Sequence, residues 1–471
     1  MTNKRKRFSV LVTVLIITFM VTLDGSIVNV ALPTMASDLH TTMSGVEWVV
    51  TSYLIVVSAT VLLFGKLGDM FGKARFFQMG VLLFSLGSLL SSLSSNLSFL
   101  IISRVVQGIG GSAALATNQG IISEAFPKEE RGRALGGISA SVALGTMIGP
   151  TAGGVIISLF NWQTIFLINI PIGVAAFLLG LKTLPNRSSV ERQALDLPGS
   201  VLMLLSILFI FCPLTLLQNQ RNVFLVILIL VGVALLVLFV WVEKKSDNPL
   251  VELSVFKNAA FTVNLVSMFI GFICIGSVNI ILPFYLQDAM KFSTLLAGFL
   301  LTVSPLTMAV VGPLSGALCD RWGYRHLLPC CFLLFTVGTA MALLLNTTTP
   351  IWMIIVILFV AAIGNAAVQP LNNTLLMSSV AQEHYGFAGS LGALMRNVGM
   401  TAGVTFSTTL LYNRMSARIG YRVSDYVAGR DDVFIYGLHW VYGMLAVLLL
   451  FAAILLFVVL ILKNKNADSH A

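Results

Sequence analysis

The chain has 471 residues, of which 57% are hydrophobic and 10% charged, and its mean hydropathy is +0.94. Soluble domains carry about a quarter charged residues, so a soluble enzyme, a nucleic-acid binder and a disordered scaffold are excluded in favour of a polytopic membrane protein. The net charge of +9 would suit nucleic acid if taken alone, but the placement of the charges makes it a topology signal.

A membrane helix needs about 20 mostly apolar residues at about 1.5 Å each. Runs of that kind predict fourteen spans, near 9–32, 46–64, 76–94, 97–120, 134–158, 162–182, 197–217, 222–242, 259–286, 294–318, 326–346, 350–372, 386–411 and 437–462. The basic stretch Lys4–Arg7 imitates the start of a signal peptide. Its apolar run continues to Leu32 without a small-residue cleavage site, so it is read as a retained first helix. With the N-terminus inside, 20 Lys and Arg fall on the cytoplasmic side. Only Arg221, Lys291, Arg414, Arg418, Arg422 and Arg430 fall outside, and Arg104 and Arg396 lie within spans. This bias follows the positive-inside rule and puts both termini in the cytoplasm. The outer segment 412–436 departs from it, with four Arg against Asp425, Asp431 and Asp432. It reads either as a solvated loop or as a flap over a cavity mouth.

Two segments repeat. Gly65-Lys-Leu-Gly-Asp69-Met-Phe-Gly72-Lys-Ala-Arg75 and Gly316-Ala-Leu-Cys-Asp320-Arg-Trp-Gly323-Tyr-Arg325 share G-x-L-x-D-x-x-G at an offset of 251. Asn118 with Arg131-Gly132-x-Ala134 matches Asn372 with Tyr385-Gly386-x-Ala388 at an offset of 254. Two ordered matches indicate duplicated six-helix halves, 1–196 and 258–471, with two inserted helices and a linker at 197–257. Paired halves of this kind form transporters, whose substrate sits between them near the bilayer midplane. The five cysteines, Cys212, Cys274, Cys319, Cys330 and Cys331, have no metal-ligand spacing and read as inert thiols.

Four motifs carry a family resemblance: Leu23-Asp24-Gly-Ser-Ile-Val-Asn29-Val-Ala-Leu-Pro33, the Gly65–Arg75 loop, Arg104-Val-Val-Gln107-Gly108-Ile-Gly110-Gly111, and Gly145-Thr-Met-Ile-Gly149-Pro150-Thr-Ala-Gly153-Gly154. In this order they resemble the major facilitator superfamily, specifically its fourteen-helix drug:proton antiporters. Met70 and Ala74 stand where the loop motif usually has basic residues, which weakens a cytoplasmic latch without removing it. The resemblance implies an all-α fold of two six-helix halves plus two inserted helices. It also implies that the face formed by Gly145, Gly149, Gly153 and Pro150 seals one side of the protein and favours exchange over leak. Small residues at this spacing let helices approach closely, and a proline bends its helix.

Asp24 lies deep in the first span. An isolated carboxylate there costs about 2.5–3.5 kcal/mol on insertion scales, so it needs a partner, a cavity or a proton. It reads as a proton and substrate-cation site or as a hydrogen-bonding link to a neighbouring helix. Arg104 is expected at similar depth, either coupling to Asp24 or forming a fixed ion pair with Gln107. Glu124 is a candidate second protonation site. Arg396, beside Asn397, is a candidate for pairing with an acid or with anionic substrate, and it resembles a family position. Asn118, Asn372 and Asn373 offer neutral hydrogen bonds. Asp69 and Asp320 are expected to cap the helices that follow them and to pair with Lys73 and Arg325, which makes Gly65, Asp69, Gly72, Arg75, Asp320 and Arg325 conformational machinery. Glu47, beside Trp48, reads as interfacial.

There is no G-x-x-x-x-G-K-[ST] loop, no metal cluster and no nucleophile–base pair, so a non-enzymatic exporter driven by the proton gradient, without a cofactor, is expected. The expected cargo is a hydrophobic, cationic, drug-like compound. The alternative is an endogenous metabolite or an anionic lipid-like compound. The expected setting is a bacterial plasma membrane and the expected state a monomer. Small-molecule substrate, protons and lipid are its expected partners, with no nucleic acid.

Overall fold

The computed structural model describes residues 2–184, 196–217, 222–246, 253–380 and 385–462. Within these ranges the side chains at 2–5, 128, 129, 131–133, 135, 136, 139, 197, 253, 254, 317, 320, 385–387, 390 and 462 stand outside the description. Arg187, Arg192, Arg221, Lys463 and Lys465 of the charge tally therefore fall outside the described residues, as do the side chains of Arg131, Tyr385 and Asp320.

The described residues form helices and no strands. Packing divides the chain into one unit of Met1–Thr41 with Gly45–Val251 and another of Thr42–Ser44 with Glu252–Ala471. The first holds α1 (Thr2–Asp38), α2 (Met43–Phe71), α3 (Lys73–Ser92), α4 (Leu97–Ala125), α5 (Lys128–Leu159), α6 (Thr164–Leu167), α7 (Asn169–Thr183), α8 (Leu197–Leu216) and α9 (Val223–Glu243). The second holds α10 (Ala259–Phe284), α11 (Thr294–Trp322), α12 (Tyr324–Met341), α13 (Ile351–Ser378), α14 (Tyr385–Ile419) and α15 (Asp431–Phe457).

Helices α6 and α7 make one crossing, because the ring nitrogen of Pro171 cannot bond the Leu167 carbonyl and the helix breaks between them. That leaves fourteen membrane-length helices, of which thirteen are long and apolar enough to span by those criteria. The remaining one, α14, carries Arg396, Asn397 and a run of Thr and Gly. Several helices outrun the expected spans, α1 reaching Asp38 and α14 reaching Ile419.

Starts are fixed by local chemistry. Asn96 Oδ1 accepts from Phe99 N at 2.9 Å, Asn258 Oδ1 from Ala260 N at 3.0 Å and Asp196 Oδ1 from Gly199 N at 2.9 Å. Each satisfies a donor that the first helical turn leaves open.

The two units repeat one packing plan. In the first, α3 packs on α4, α1 on α5, and α7 on both α1 and α3; in the second, α12 packs on α13, α10 on α14, and α15 on both α10 and α12. Equivalent glycines make these contacts close. A Cβ on Gly110 would collide with the Phe84 backbone, and one on Gly364 with that of Phe335. Likewise Gly87 lies on Gln107 and Gly338 on Ala361. Ser26 Oγ donates to Gly145 O at 3.0 Å, and Ser277 Oγ donates to Gly403 O at 3.0 Å. The glycine contacts, and Ser26 with Ser277, keep the offsets of the sequence repeat, while the acceptors Gly145 and Gly403 stand four residues off it. Helices α8 and α9 pack chiefly on each other.

Candidate functional site

The first unit gathers its buried polar side chains around Asp24. Asp24 and Arg104 are 0% and 1% exposed, and Arg104 Nη1 lies 2.6 Å from Asp24 Oδ2. Asp24 Oδ1 accepts from Gln107 Nε2 and from Asn169 Nδ2, each at 2.8 Å. Gln107 Oε1 in turn accepts from Arg104 Nη1 at 2.6 Å. Ser88 Oγ takes a second bond from each amide, at 2.8 Å from Gln107 and 3.2 Å from Asn169. Arg104 Nε donates to the Val49 carbonyl at 3.0 Å. The guanidinium lies 4.4 Å from the Tyr53 ring centroid and 5.8 Å from that of Phe166.

One charge pair is thus joined to α1, α2, α3, α4, α6 and α7. The sequence supplies this geometry simply. Arg104 and Gln107 are three apart on α4 and share a face. Gly87 lets the α4 backbone at Gln107 approach α3, where Ser88 sits next in sequence. Asn169 starts α7 directly after the break forced by Pro171. A carboxylate accepting three N–H bonds has the donor set of an ionised acid. Its desolvation is offset only while Arg104 stays beside it.

The pairing of Asp24 with Arg104 and Gln107 follows the depths expected from sequence. Sequence reasoning missed Asn169, Ser88 and Tyr53. Asn169 carried one usable signal, a lone amide in an otherwise apolar run beside a proline. Ser88 and Tyr53 carried none.

The other candidates lie elsewhere. Glu124 follows Arg104 by 20 residues on α4, about 30 Å along the helix. There Lys73 Nζ bridges Glu124 Oε1 at 2.7 Å and Asp69 Oδ1 at 2.8 Å. Gly120 leaves room for the Lys73 stem, which a Cβ would overlap. Glu124 therefore belongs with the loop motif, tying α2, α3 and α4 together. Asn118 Nδ2 reaches Thr18 Oγ1 at 3.4 Å. Glu47, expected at the interface, is fully buried.

The expected capping role of the loop acids is corrected. Asp69 lies in the last turn of α2, and α3 is preceded by Gly72 at φ 110° with no side-chain cap. Asp320 lies in the last turn of α11, followed by Gly323 at φ 73°. The helices run on through the acids, and the final glycine of each motif makes the bend because it accepts positive φ without a Cβ penalty. Arg75 and Arg325 are exposed, and a Cβ on Gly65 or Gly316 would touch nothing within 4 Å. The glycine face of α5 packs on α1: Gly145 lies against Thr22 and Phe19, Gly149 against Ser26, and Gly153 against Ile27. Pro150 lies inside α5, between these contacts.

In the second unit the repeat offsets carry Asp24, Arg104 and Gln107 onto Ile275, Leu358 and Ala361, so the ion cluster has no counterpart. The Asn372 carbonyl accepts from Asn264 Nδ2 at 2.8 Å, while the Asn372 side-chain oxygen is buried without a hydrogen-bond partner. Arg396 is half-buried on α14 and meets no carboxylate among the described residues. No metal-ligand cluster occurs among them either.

Comparison with known proteins gives the same architecture. The family model of the Major Facilitator Superfamily matches residues 14–404 and 266–470. The riboflavin transporter RibZ of Clostridioides difficile is 36% identical over 87% of this chain and 90% of its own length. The multidrug resistance protein Stp of Mycobacterium tuberculosis is 27% identical over 85% of this chain and 75% of its own. A bacterial homologue of the human lysosomal transporter Spinster shares the fold, with a TM-score of 0.69 at 15% identity over 98% of each chain. With two duplicated helical units, fourteen membrane-length helices and a charge pair closed inside one of them, the chain belongs to the Major Facilitator Superfamily as a fourteen-helix, multi-pass transporter of the bacterial plasma membrane, and it is not an enzyme.

Proposed function

We propose that the chain is a proton-coupled antiporter that exports an amphipathic aromatic metabolite of the flavin type, acting as a monomer with both termini in the cytoplasm. The observation that carries this reading is the buried Asp24–Arg104 pair, present in one repeat only. Protonating Asp24 removes the counter-charge of a desolvated guanidinium and takes one acceptor from Gln107, Asn169 or Arg104. Breaking such a pair on one side costs about 3–5 kcal/mol. A proton at Asp24 therefore drives the six surrounding helical segments towards another arrangement, and loss of the proton restores this one. That is the physical content of coupling.

Two observations support an uncharged or acceptor-rich cargo. Asp24 spends its charge on Arg104 and offers none to a cation. Among the described residues Arg396 has no acid beside it, and it suits a ring carbonyl or an anionic group. The likeness to RibZ points the same way. Export of hydrophobic cations is the second reading, favoured by the likeness to Stp.

The test uses purified protein in liposomes containing a pH dye, with riboflavin or tetraphenylphosphonium added under an imposed proton gradient. Riboflavin-dependent proton movement that disappears in Asp24→Asn supports the first reading. Movement with the cation alone replaces it with the second. Flux of either compound without proton movement refutes antiport.

A further inference from the structure

Near the loop that joins α14 to α15, the second unit carries a cluster of cations and aromatic rings. Arg414 and Arg418 are one turn apart on α14 and share a face. Tyr436 and Trp440 have the same spacing on the antiparallel α15. Arg414 lies 3.9 Å from the Trp440 ring centroid, and Arg418 lies 5.3 Å from that of Tyr436. The two rings meet edge to face at 6.4 Å. Each guanidinium thus lies over an aromatic ring, an arrangement that holds a cation without using its hydrogen-bond donors.

Beside these rungs runs an open groove of about 560 Å³, walled by Leu410, Met444 and Val447 as well as Arg414 and Trp440. Trp440 is 43% exposed and Val447 65%. Val447 lies seven residues beyond Trp440 on α15, about 10 Å further into the membrane. The groove therefore starts at Arg414, with Arg418 one turn further along α14, and continues along an apolar wall.

The charge balance identifies the occupant. In the same segment Arg430 is held by Asp432 through bonds of 2.9 and 3.1 Å. The hydroxyl of Tyr426 bonds Asp431, and Lys291 lies 4.6 Å from the Tyr426 ring centroid. Arg414 and Arg418 meet no carboxylate among the described residues, yet they sit on the side that the Lys/Arg bias assigns to the exterior, where cations are scarce. A ligand that is anionic at the headgroup level and apolar below it matches both parts.

We propose that Arg414 and Arg418, seated on Trp440 and Tyr436, bind the phosphodiester of an anionic phospholipid of the outer leaflet, whose acyl chain lies along Leu410, Met444 and Val447. The site is independent of the cargo and of proton coupling. Arg–phosphate contacts are charge-assisted, and the two guanidinium groups would repel the choline cation of a zwitterionic lipid, so net charge favours an anionic one.

The experiment reconstitutes the full chain into nanodiscs containing a small fraction of phosphatidylglycerol or of phosphatidylcholine, each brominated on the acyl chain. Trp440 fluorescence is isolated by subtracting the signal of Trp440→Phe. Quenching by brominated phosphatidylglycerol should reach half its maximum at a lipid fraction at least about fivefold lower than for phosphatidylcholine. The double variant Arg414→Gln with Arg418→Gln should abolish that preference. Equal quenching by both lipids overturns the proposal, and so does a preference that survives in the double variant. Protection of Trp440 from both lipids in a dimer would also overturn it, because a second copy would then fill the groove. The comparison between lipids uses the unmodified chain, so it stands even if the double variant does not fold.

Discussion

Asn169 donates to Asp24 Oδ1 at 2.8 Å across 145 residues of sequence. This bond joins α7 to α1 and completes the set of donors around the carboxylate. The amide carries no charge, so it solvates the acid without competing with Arg104 for its role as counter-ion.

Stability should follow that division of labour. Asp24→Asn leaves a buried cation uncompensated and should cost about 3–5 kcal/mol. Asn169→Ala removes one bond to a charged group and should cost about 1.5–3 kcal/mol. The double variant Asp24→Asn with Arg104→Gln should be more stable than Asp24→Asn alone. Thermal unfolding in detergent, followed by fluorescence-detected size exclusion, checks the order. Equal melting of Asp24→Asn and the parent chain would sink the account of the cluster.

Glycines that make close contacts should be separable from those that do not. Gly110→Ala and Gly364→Ala each force a Cβ into a backbone at equivalent places in the two repeats. Each should cost about 1–3 kcal/mol, as overpacking does. Gly65→Ala, with nothing within 4 Å of the new carbon, should leave melting within about 0.5 kcal/mol of the parent. Parallel melting curves for the three variants decide this.

The bridge made by Lys73 should matter to rate more than to stability. Its side chain is 21% exposed and Glu124 is 25% exposed, so solvent screens the pair, which is worth about 0.2–1 kcal/mol. Lys73→Met should shift melting little while lowering transport turnover in proteoliposomes. Glu124→Gln should do less, because the Asp69 contact at 2.8 Å remains. A large melting shift with unchanged turnover would show the bridge to be only a structural staple.

Arg396 should behave as a binding group. Arg396→Gln removes a half-buried cation that no acid balances among the described residues, so melting should hold or rise. Apparent KM for a carbonyl-rich aromatic cargo should rise about tenfold, the equivalent of one charge-assisted hydrogen bond. Arg396→Lys should recover part of it. Competition assays with the same variants would expose a mere packing role, since KM would then stay fixed while melting fell.

The helix count and the repeat were legible in the sequence because apolar run length and G-x-L-x-D-x-x-G depend on local residues alone. The meeting of Asp24 with Arg104 was legible because two charges at similar depth in one apolar bundle have few other ways to lower their energy. Asn169 escaped because a neutral amide costs little to place alone, so its position demands no particular partner. The partner of Glu124 escaped for a different reason, because nothing in the local sequence folds Lys73, 51 residues earlier, onto it. The pairing of Asp69 with Lys73 is present, but the capping role of the loop acids was misjudged because helix ends are the least local of signals, and it was the positive φ at Gly72 and Gly323 that placed the bends.

The spacing of the ion cluster along the chain also bears on how the protein is made. Arg104 follows Asp24 by 80 residues and Asn169 follows it by 145. At roughly 5–20 residues per second, the ribosome delivers the arginine about 4–16 s after the acid. During that interval α1 is born without its counter-ion, so its insertion leaves a deep carboxyl that still lacks Arg104. Once α4 and α7 emerge, the carboxylate has all its donors before any of the helices α10 to α15 has been translated. The earlier half can therefore settle its buried charge while the later half is still in the future.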